Sequence, residues 1–284
     1  METGKVTGVS RTAVGVAWLR AAESARPDAL FHDPYAAAFV AGAREVLEMS
    51  EETYTERGRT VGALFGNQIV VRTRFYDDYL LAAVVAGCHQ VVLVAAGLDT
   101  RAFRLDWPDG TRVFELDLPD LLDYKERVLA EHGAVPRCAR TVLPVDLRED
   151  WASRIVEAGS RPDEPTAWLL EGLLIYLSAE EATRLLTTIG SLSAPGSELS
   201  CQHRDGASSE FRDRVRATPE MADVVAMWQG GMGDELAGWL TANGWRVRTH
   251  DGNALAESYG RADAATAYVN FVTAVRTEGA EATS

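Results

Sequence analysis

The sequence of 284 residues predicts an α/β fold built on a doubly wound, mostly parallel β-sheet. Short apolar runs alternate with longer segments of helical periodicity, which is typical of parallel strands joined by right-handed helical crossovers. Residues 91–95 are apolar at every position, which indicates a strand that is buried on both faces of a sheet. The stretch between the last two predicted strands shows no clear helix. We therefore expect an antiparallel strand at the edge of this sheet.

The first part of the chain, residues 1–71, is predicted to form a helical cap. Apolar residues recur at helical spacing between Val14 and Phe75, and Asp33-Pro34 is a helix-start signal with proline in the first turn. The chain before the first strand is therefore predicted to consist of helices and loops.

Helices and strands alternate regularly over the predicted core, residues 72–202. A helix that begins near Arg72 ends at Gly87, and a helix that Pro119 opens ends at Gly133. Ser178 and Glu181 form a capping box for a third helix. The strands of the core are predicted at residues 91–95, 112–117, 141–145, 166–170 and 198–202.

The C-terminal part completes the predicted sheet. Residues 203–233 are predicted to be a partly helical insertion, and a helix that starts at Asp234 precedes strands at residues 245–249 and 267–275. We predict a single domain over residues 1–284, in which residues 234–276 contribute the last strands.

Charge and hydropathy exclude several classes of partner. The chain has 42 Asp and Glu residues against 28 Lys and Arg residues, a net charge of −14, which disfavours binding to a nucleic acid backbone. The N-terminus has no secretory pattern, and no run of about 18 uninterrupted apolar residues is present. We therefore expect a cytoplasmic protein without a membrane partner. Its oligomeric state stays open.

The three cysteines do not indicate a disulfide framework or a metal centre. Cys88, Cys138 and Cys201 lie far apart and lack the Cys-x-x-Cys spacing of zinc sites. The sequence therefore predicts no bound metal.

Acidic side chains stand at or just after the ends of four successive predicted strands, at Asp99, Asp117, Asp146 and Glu171. The carboxyl ends of parallel strands meet at one edge of an open sheet, where ligands bind, so these acids are expected to share one rim. The three-glycine dinucleotide fingerprint is absent. The rim suits a ligand with hydroxyls, an amine and a positive charge. It favours S-adenosyl-L-methionine, although a nicotinamide-dependent reductase stays open as an alternative.

Several segments resemble the leucine carboxyl methyltransferase family, above all its bacterial branch of S-adenosyl-L-methionine-dependent O-methyltransferases. Gly-Leu-Asp-Thr-Arg at residues 97–101 and Glu-Gly-Leu-Leu-Ile-Tyr-Leu at residues 171–177 are the most specific motifs. The other matching segments are residues 12–13, 20–23, 32–35, 72–77, 115–117 and 145–148. The resemblance implies a Rossmann-like class I methyltransferase fold with S-adenosyl-L-methionine as cofactor.

The resemblance also implies which residues contact the methionine portion of the cofactor. Arg72 matches the arginine that holds its carboxylate, a task for which the guanidinium fork is suited, with Arg74 as the next candidate. Arg20 matches a basic residue of the N-terminal helix that reaches the cofactor. Gly97 lies beneath the methionine portion, and Glu171 lies near its amino end.

The adenosine portion is assigned by the same resemblance. Asp117 matches the acid that binds the ribose, with Glu115 in a supporting role, and Asp146 with Leu147 matches the pair that brackets adenine. One position departs from the family pattern, because the chain has Ala95 where the family usually has glycine. We expect the Cβ of Ala95 to exclude a positive φ and to narrow the approach to the cofactor.

Methyl transfer to an oxygen of a small molecule, a carboxylate or a phenol, is the expected activity, with natural-product tailoring as one setting. A phenol needs a general base, and His203 is the candidate. The expected acceptor pocket contains four aromatic residues, Tyr35, Tyr76, Tyr176 and Trp228. Two alternatives stay open: methylation of a protein C-terminal carboxylate, and a non-catalytic protein that binds the cofactor for regulation.

Overall fold

The computed structural model describes residues 8–46, 51–203, 213, 215–262 and 269–278. Its strands form one seven-stranded sheet in the order β3-β2-β1-β4-β5-β7-β6. The strands are β1 Gln90–Val94, β2 Arg112–Asp117, β3 Ala139–Pro144, β4 Thr166–Leu170, β5 Glu198–His203, β6 Trp245–His250 and β7 Asn270–Arg276. The predicted doubly wound, mostly parallel α/β fold is confirmed.

Helices cover both faces of this sheet. The first five are α1 Gly8–Ser24, α2 Ala36–Val46, α3 Glu51–Val85, α4 Arg101–Arg104 and α5 Pro119–Glu131. The next five in the described ranges are α6 Trp151–Glu157, α7 Ala179–Ser191, α8 Ala222–Ala226, α9 Leu236–Ala242 and α10 Gly252–Ser258. Short 3-10 turns lie at Leu174–Tyr176, Pro219–Met221 and Gly233–Glu235.

Strand β1 lies at the centre of the parallel part of the sheet. It pairs with β2 on one side and with β4 on the other, so the chain order reverses between β1 and β4. In open α/β sheets the ligand crevice lies beyond the carboxyl ends of the strands at such a switch point. The loops that follow β1, β2 and β4 therefore meet at the expected binding edge.

The antiparallel pairing at the C-terminal end is confirmed, with one difference in position. Strand β7 lies between β5 and β6 and is antiparallel to both, so β6 forms the edge. The expectation that no helix joins the last two strands is wrong, because α10 lies between them. Asp251 caps that helix by accepting a hydrogen bond of 2.8 Å from the backbone N–H of Ala254.

The core is divided by the sheet into two apolar layers. Val91 and Leu93 pack against residues of α1, α2 and α3, whereas Val92 and Val94 pack against residues of α6, α7 and α9. This alternation follows from the two-residue period of a strand, and each buried Val or Leu contributes roughly 1.5–3 kcal/mol. Because helices cover both faces of the sheet, a central strand such as β1 needs apolar side chains on both of its faces.

The N-terminal cap and the core share a helix. Helix α3 has 35 residues and runs through the boundary that the sequence predicts between residues 71 and 72. Its C-terminal half is buried against the sheet, with Tyr76 and Leu80 fully covered. Among the residues that the structure describes, no helix combines the length and the apolar character needed to cross a bilayer.

Candidate functional site

The loop after β1 has a tightly defined backbone. Gly97 has a φ of +54°, a conformation that glycine adopts without steric cost, and its N–H donates a hydrogen bond of 2.6 Å to Asp117 Oδ2. Ala95 has a φ of +56°, so the expectation that its Cβ would exclude a positive φ is wrong. The loop is held in this conformation by neighbouring bonds, including Ala96 N–H to Leu116 O at 2.9 Å.

Asp117 ends β2 and faces this loop. Its two carboxylate oxygens accept the N–H groups of Gly97, at 2.6 Å, and of Leu118, at 2.7 Å. Burial raises the pKa of Asp117, and these two bonds partly offset the effect. Because each carboxylate oxygen has two lone pairs, Asp117 can still accept hydrogen bonds from the hydroxyl groups of a ligand.

Glu115 does not support Asp117 at the rim. Its Oε2 lies 2.7 Å from Lys125 Nζ and 2.6 Å from Arg140 Nη2, and both Glu115 and Lys125 are fully buried. A buried carboxylate needs such partners because desolvation of an unpaired charge is costly. The supporting role expected for Glu115 is therefore corrected to that of an internal counter-ion beneath α5.

Asp146 and Leu147 lie just beyond the end of β3. Asp146 accepts bonds of 2.9 Å from the backbone N–H and the Nε of Arg148, and the side-chain bond lowers its pKa. Leu147 is half-buried and packs on the apolar layer beneath. A partly exposed carboxylate next to an apolar side chain suits a flat ring with an exocyclic amine.

A buried network of charges connects α3, the loop after β1 and the end of β4. Glu171 accepts from Arg72 Nε at 2.8 Å and from Arg101 Nη1 at 2.7 Å. Arg101, which is 1% exposed, also contacts Asp99 and lies 2.7 Å from Asp77 Oδ1. Arg101 thus fixes the carboxylate of Glu171, and Glu171 in turn holds the guanidinium of Arg72 at the site.

The charges of this network decide its protonation states. Burial alone would raise the pKa of Glu171, but Arg101 and Arg72 outweigh it and hold that pKa below its ordinary value. Burial would also raise the pKa of Asp99, yet nearby positive charges, Arg101 foremost, lower it to about 2. Both carboxylates are therefore ionised at neutral pH.

Two arginines with an expected cofactor role have other partners. Arg20 Nη2 donates to the backbone carbonyl of Leu98, and its Nε lies 2.9 Å from Asp33 Oδ2. Arg20 therefore links α1 to the loop that contains Gly97. Arg74 pairs with Asp78 at 2.9 Å on a half-exposed face of α3.

A cavity of about 220 Å³ opens beside this network. It lies between α1, α3, the ends of β4 and β5, and the segment around α8, which belongs to the predicted insertion. Its polar lining residues are Arg11, Thr12, Gln68, Arg72, Tyr176 and Gln202. The remaining lining is almost entirely apolar, and the described residues that line the cavity include no Asp, Glu, His, Lys or Cys.

Gly172 lies where the cavity meets the rim of carboxylates at the ends of the strands. It has a φ of +70°, and a Cβ built on it would lie only 3.2 Å from Arg72 Nη1. Arg72 Nη1 also donates to Gln202 Oε1 at 3.3 Å. Arg72, Gly172 and Gln202 therefore mark the end of the cavity that is nearest to the carboxylates.

The expected acceptor-pocket residues divide into two groups. Tyr176 and Trp228 line the cavity. Tyr35 packs on Phe103, with ring centroids 5.7 Å apart, and Tyr76 is fully buried, so neither residue lines the cavity. The side chain of His203 lies outside the described residues.

Sequence reasoning missed Arg101, Asp77, Gln68 and Gln202 as site residues. Arg101 and Asp77 do lie within the matching segments at residues 97–101 and 72–77, so those motifs contain the signal. Gln68 precedes Arg72 by one helical turn, and this spacing is the signal that would have identified it.

Comparison with known proteins gives a consistent result. The family model for leucine carboxyl methyltransferase matches residues 13–190. A protein of Parafrankia sp. (strain EAN1pec), named as an S-adenosyl-L-methionine-dependent methyltransferase, is 48% identical over 96% of this chain and 88% of the relative. A Streptomyces coelicolor protein of the same name is 44% identical over 90% of this chain and 89% of the relative.

The sheet is similar to that of solved methyltransferase structures. A structure from Thermobifida fusca, described as that of a methyltransferase, matches with a TM-score of 0.52 and 17% identity, over 92% of this chain and 94% of the other. At this identity the likeness shows the fold.

Proposed function

The chain belongs to the leucine carboxyl methyltransferase family of S-adenosyl-L-methionine-dependent methyltransferases, and we propose that it methylates a carboxylate oxygen of a small, largely apolar molecule. The observation that carries the proposal is the cavity beside Arg72. Its apolar walls suit an apolar acceptor, and the absence of a base among its described lining residues suits an acceptor that is already an anion.

The residues at the rim fit S-adenosyl-L-methionine by their chemistry. Arg72 supplies a fixed guanidinium for the carboxylate of the cofactor, and the missing side chain of Gly172 leaves room for that guanidinium. Asp117 supplies acceptors for the ribose hydroxyls. Asp146 supplies an acceptor for the adenine amine, and Leu147 supplies an apolar surface for the ring.

When bound, S-adenosyl-L-methionine supplies a methyl group that its positively charged sulfur already activates. The task of the protein is therefore to hold the acceptor oxygen in line with that group, and positioning of this kind is worth about 7–11 kcal/mol. Glu171 and Arg101 hold Arg72 in place, and the Gly97–Asp117 bond fixes the loop next to it. The apolar walls exclude water from the acceptor.

The composition of the cavity supports a carboxylate over a phenol. A carboxylic acid has a pKa near 4 and is ionised at neutral pH, whereas a phenol has a pKa near 10 and needs a base. Arg11, Arg72 and Tyr176 are the titratable groups among the described lining residues, and Arg11 is left to attract the acceptor anion when Arg72 holds the carboxylate of the cofactor. His203 stays the candidate base for a phenolic acceptor.

The two elements that flank the cavity support a small molecule over a protein C-terminus. Helix α1 and the segment around α8 both line it, and Arg11 lies 3.6 Å from Asp223 where these two elements meet. A peptide would have to enter between them. Natural-product tailoring is consistent with such an acceptor.

The test uses the purified protein, S-adenosyl-L-methionine with an isotopically labelled methyl group, and an extract of the native host. We expect a labelled product that mass spectrometry identifies. Mild alkali should release the label as volatile methanol, because it cleaves methyl esters and leaves methyl ethers intact. A labelled product that resists alkali would show that the acceptor is not a carboxylate and contradict the proposal.

A further inference from the structure

Within the part of the chain that the structure describes, Gln68 has a buried side-chain oxygen without a hydrogen-bond partner. The residue is 5% exposed, it lines the cavity, and its Oε1 is buried without a partner among the described residues. Buried polar atoms are nearly always paired, so an exception needs an explanation.

Another buried glutamine shows what a structural role looks like in this fold. Gln90 is 0% exposed, and its Nε2 donates to the carbonyl of Arg161 at 2.9 Å. Its Oε1 accepts the N–H of Arg161 at 2.7 Å. Both ends of the Gln90 amide are thus used within the protein. Within the described residues the amide oxygen of Gln68 is not, and rotation of this amide about its last side-chain bond would turn the oxygen towards a molecule in the cavity that Gln68 lines.

The position of Gln68 relates its oxygen to the reacting end of the cavity. Gln68 and Arg72 are four residues apart on α3, so their Cβ atoms lie roughly 5–6 Å apart on one face of the helix. Arg72 marks the end of the cavity nearest the rim, because it pairs with Glu171 after β4. If one group of the acceptor binds Gln68 and another reacts near Arg72, the two groups are therefore only a few bonds apart in the acceptor.

We propose that Gln68 determines acceptor specificity by accepting a hydrogen bond from a hydroxyl or amide N–H of the acceptor. This inference rests on the proposed function and narrows its substrate class. The acceptor is then an apolar carboxylic acid that has a hydrogen-bond donor about three bonds from the carboxylate carbon, as in a 3-hydroxy acid. The apolar walls hold the rest of the molecule.

Calorimetric titration with 3-hydroxydecanoate and decanoate tests the proposal. The two acids have the same charge and chain and differ by one hydroxyl group. In the absence of a methyl donor, the wild-type protein should bind the hydroxy acid about five to ten times more tightly, which is the usual effect of one hydrogen bond. Gln68→Met should remove this preference and leave decanoate affinity unchanged. Equal affinities in the wild type, retained preference in Gln68→Met, or no binding of either acid would each overturn the proposal.

Thermal unfolding separates a ligand-binding role from a structural one. Gln68→Met removes an unpaired oxygen, so its melting temperature should equal or exceed that of the wild type. Gln90→Met is the matched control, and its melting temperature should fall by several degrees because it leaves Arg161 without its partner. A lower melting temperature in Gln68→Met, or a loss of S-adenosyl-L-methionine affinity in that variant, would assign Gln68 to the fold or to the cofactor and overturn the proposal.

These measurements do not depend on turnover. If methyl transfer to carboxylic acids fails while the hydroxyl preference depends on Gln68, the proposed reaction is wrong and the specificity role stands. If methyl esters form but the preference is absent, the specificity role is wrong and the proposed reaction stands.

Discussion

Arg101 Nη1 lies 2.7 Å from Glu171 Oε2, although 70 residues separate the two in the chain. Arg101 begins α4 after β1, and Glu171 follows β4, so this ion pair joins the ends of two neighbouring strands. The second oxygen of Glu171 accepts from Arg72 at 2.8 Å. The pair therefore fixes the carboxylate that orients Arg72 towards the cavity.

We predict that Arg101→Met destabilises the protein by about 3–5 kcal/mol, the usual cost of leaving buried charges unpaired. The substitution removes the shared partner of Asp77, Asp99 and Glu171. Urea-induced unfolding, followed by circular dichroism, measures the change. Arg74→Met is the control, because the pair with Asp78 is half-exposed and such pairs contribute at most about 1 kcal/mol. Similar losses in the two variants would contradict a special role for the buried network.

Ala95→Gly should stabilise the fold by about 0.5–1 kcal/mol. A φ of +56° is costly for a residue with a Cβ, and glycine does not have that cost. The greater entropy of glycine in the unfolded chain offsets part of this gain in stability. Ala96→Gly is the matched control in the same loop. Among the described non-glycine residues only Ala95 has a positive φ, so Ala96→Gly should destabilise the protein. Destabilisation by Ala95→Gly in urea unfolding would show that the strain is absent.

Arg72→Ala and Asp117→Ala should each weaken S-adenosyl-L-methionine binding more than tenfold, or by about 1.4 kcal/mol. Arg72 supplies the positive charge at the rim, and Asp117 supplies acceptors beside the Gly97 loop. Calorimetric titration measures both affinities. Asp109→Ala removes an exposed acid of a loop far from these contacts and should leave the affinity unchanged. Wild-type affinity in both site variants would show that the cofactor-binding roles assigned to Arg72 and Asp117 from the family resemblance are wrong.

The strands could be predicted closely from the sequence because helices cover both faces of the sheet. Buried parallel strands are then continuous apolar runs, and β2 and β4 begin and end at the predicted residues. Helix α10 was missed because seven residues contain too little periodicity to identify a helix. The full length of α3 was missed because the boundary between cap and core was predicted inside it.

The acids of the site were predictable as a set, but the role of Glu115 was not. Glu115 and Asp117 are two residues apart on one strand, and although the resemblance assigns the ribose to Asp117, the sequence does not show what Glu115 contacts. The difference comes from Lys125 and Arg140, which meet Glu115 only once α5 and β3 have packed. The positive φ of Ala95 was likewise hidden, since the hydrogen bonds of neighbouring residues impose it.

Stability should fall as the pH decreases from about 4 to about 2. The folded-state pKa of Asp99 is lowered to about 2, and that of Glu171 is also lowered, so their stabilising contribution is present above the unfolded pKa and is lost through this window. For Asp99 the shift corresponds to about 2 kcal/mol. Asp99→Asn should lose less stability over this range than the wild type. Urea unfolding at several pH values measures this, and parallel curves for the two proteins would argue against the lowered pKa.

Methylation of a carboxylic acid should be nearly independent of pH between about pH 6 and 9. The acceptor is ionised throughout this range, and the described lining residues include no carboxylate, imidazole or amine that changes charge there. The measurement is kcat/KM for the acceptor at a saturating concentration of methyl donor, with melting temperatures recorded at each pH to exclude unfolding. A phenolic acceptor would instead give a rate that rises with pH, because deprotonation of the phenol or of a base such as His203 would limit it. A tenfold rise over this range would therefore contradict the carboxylate assignment, and loss of that rise in His203→Gln would identify the base.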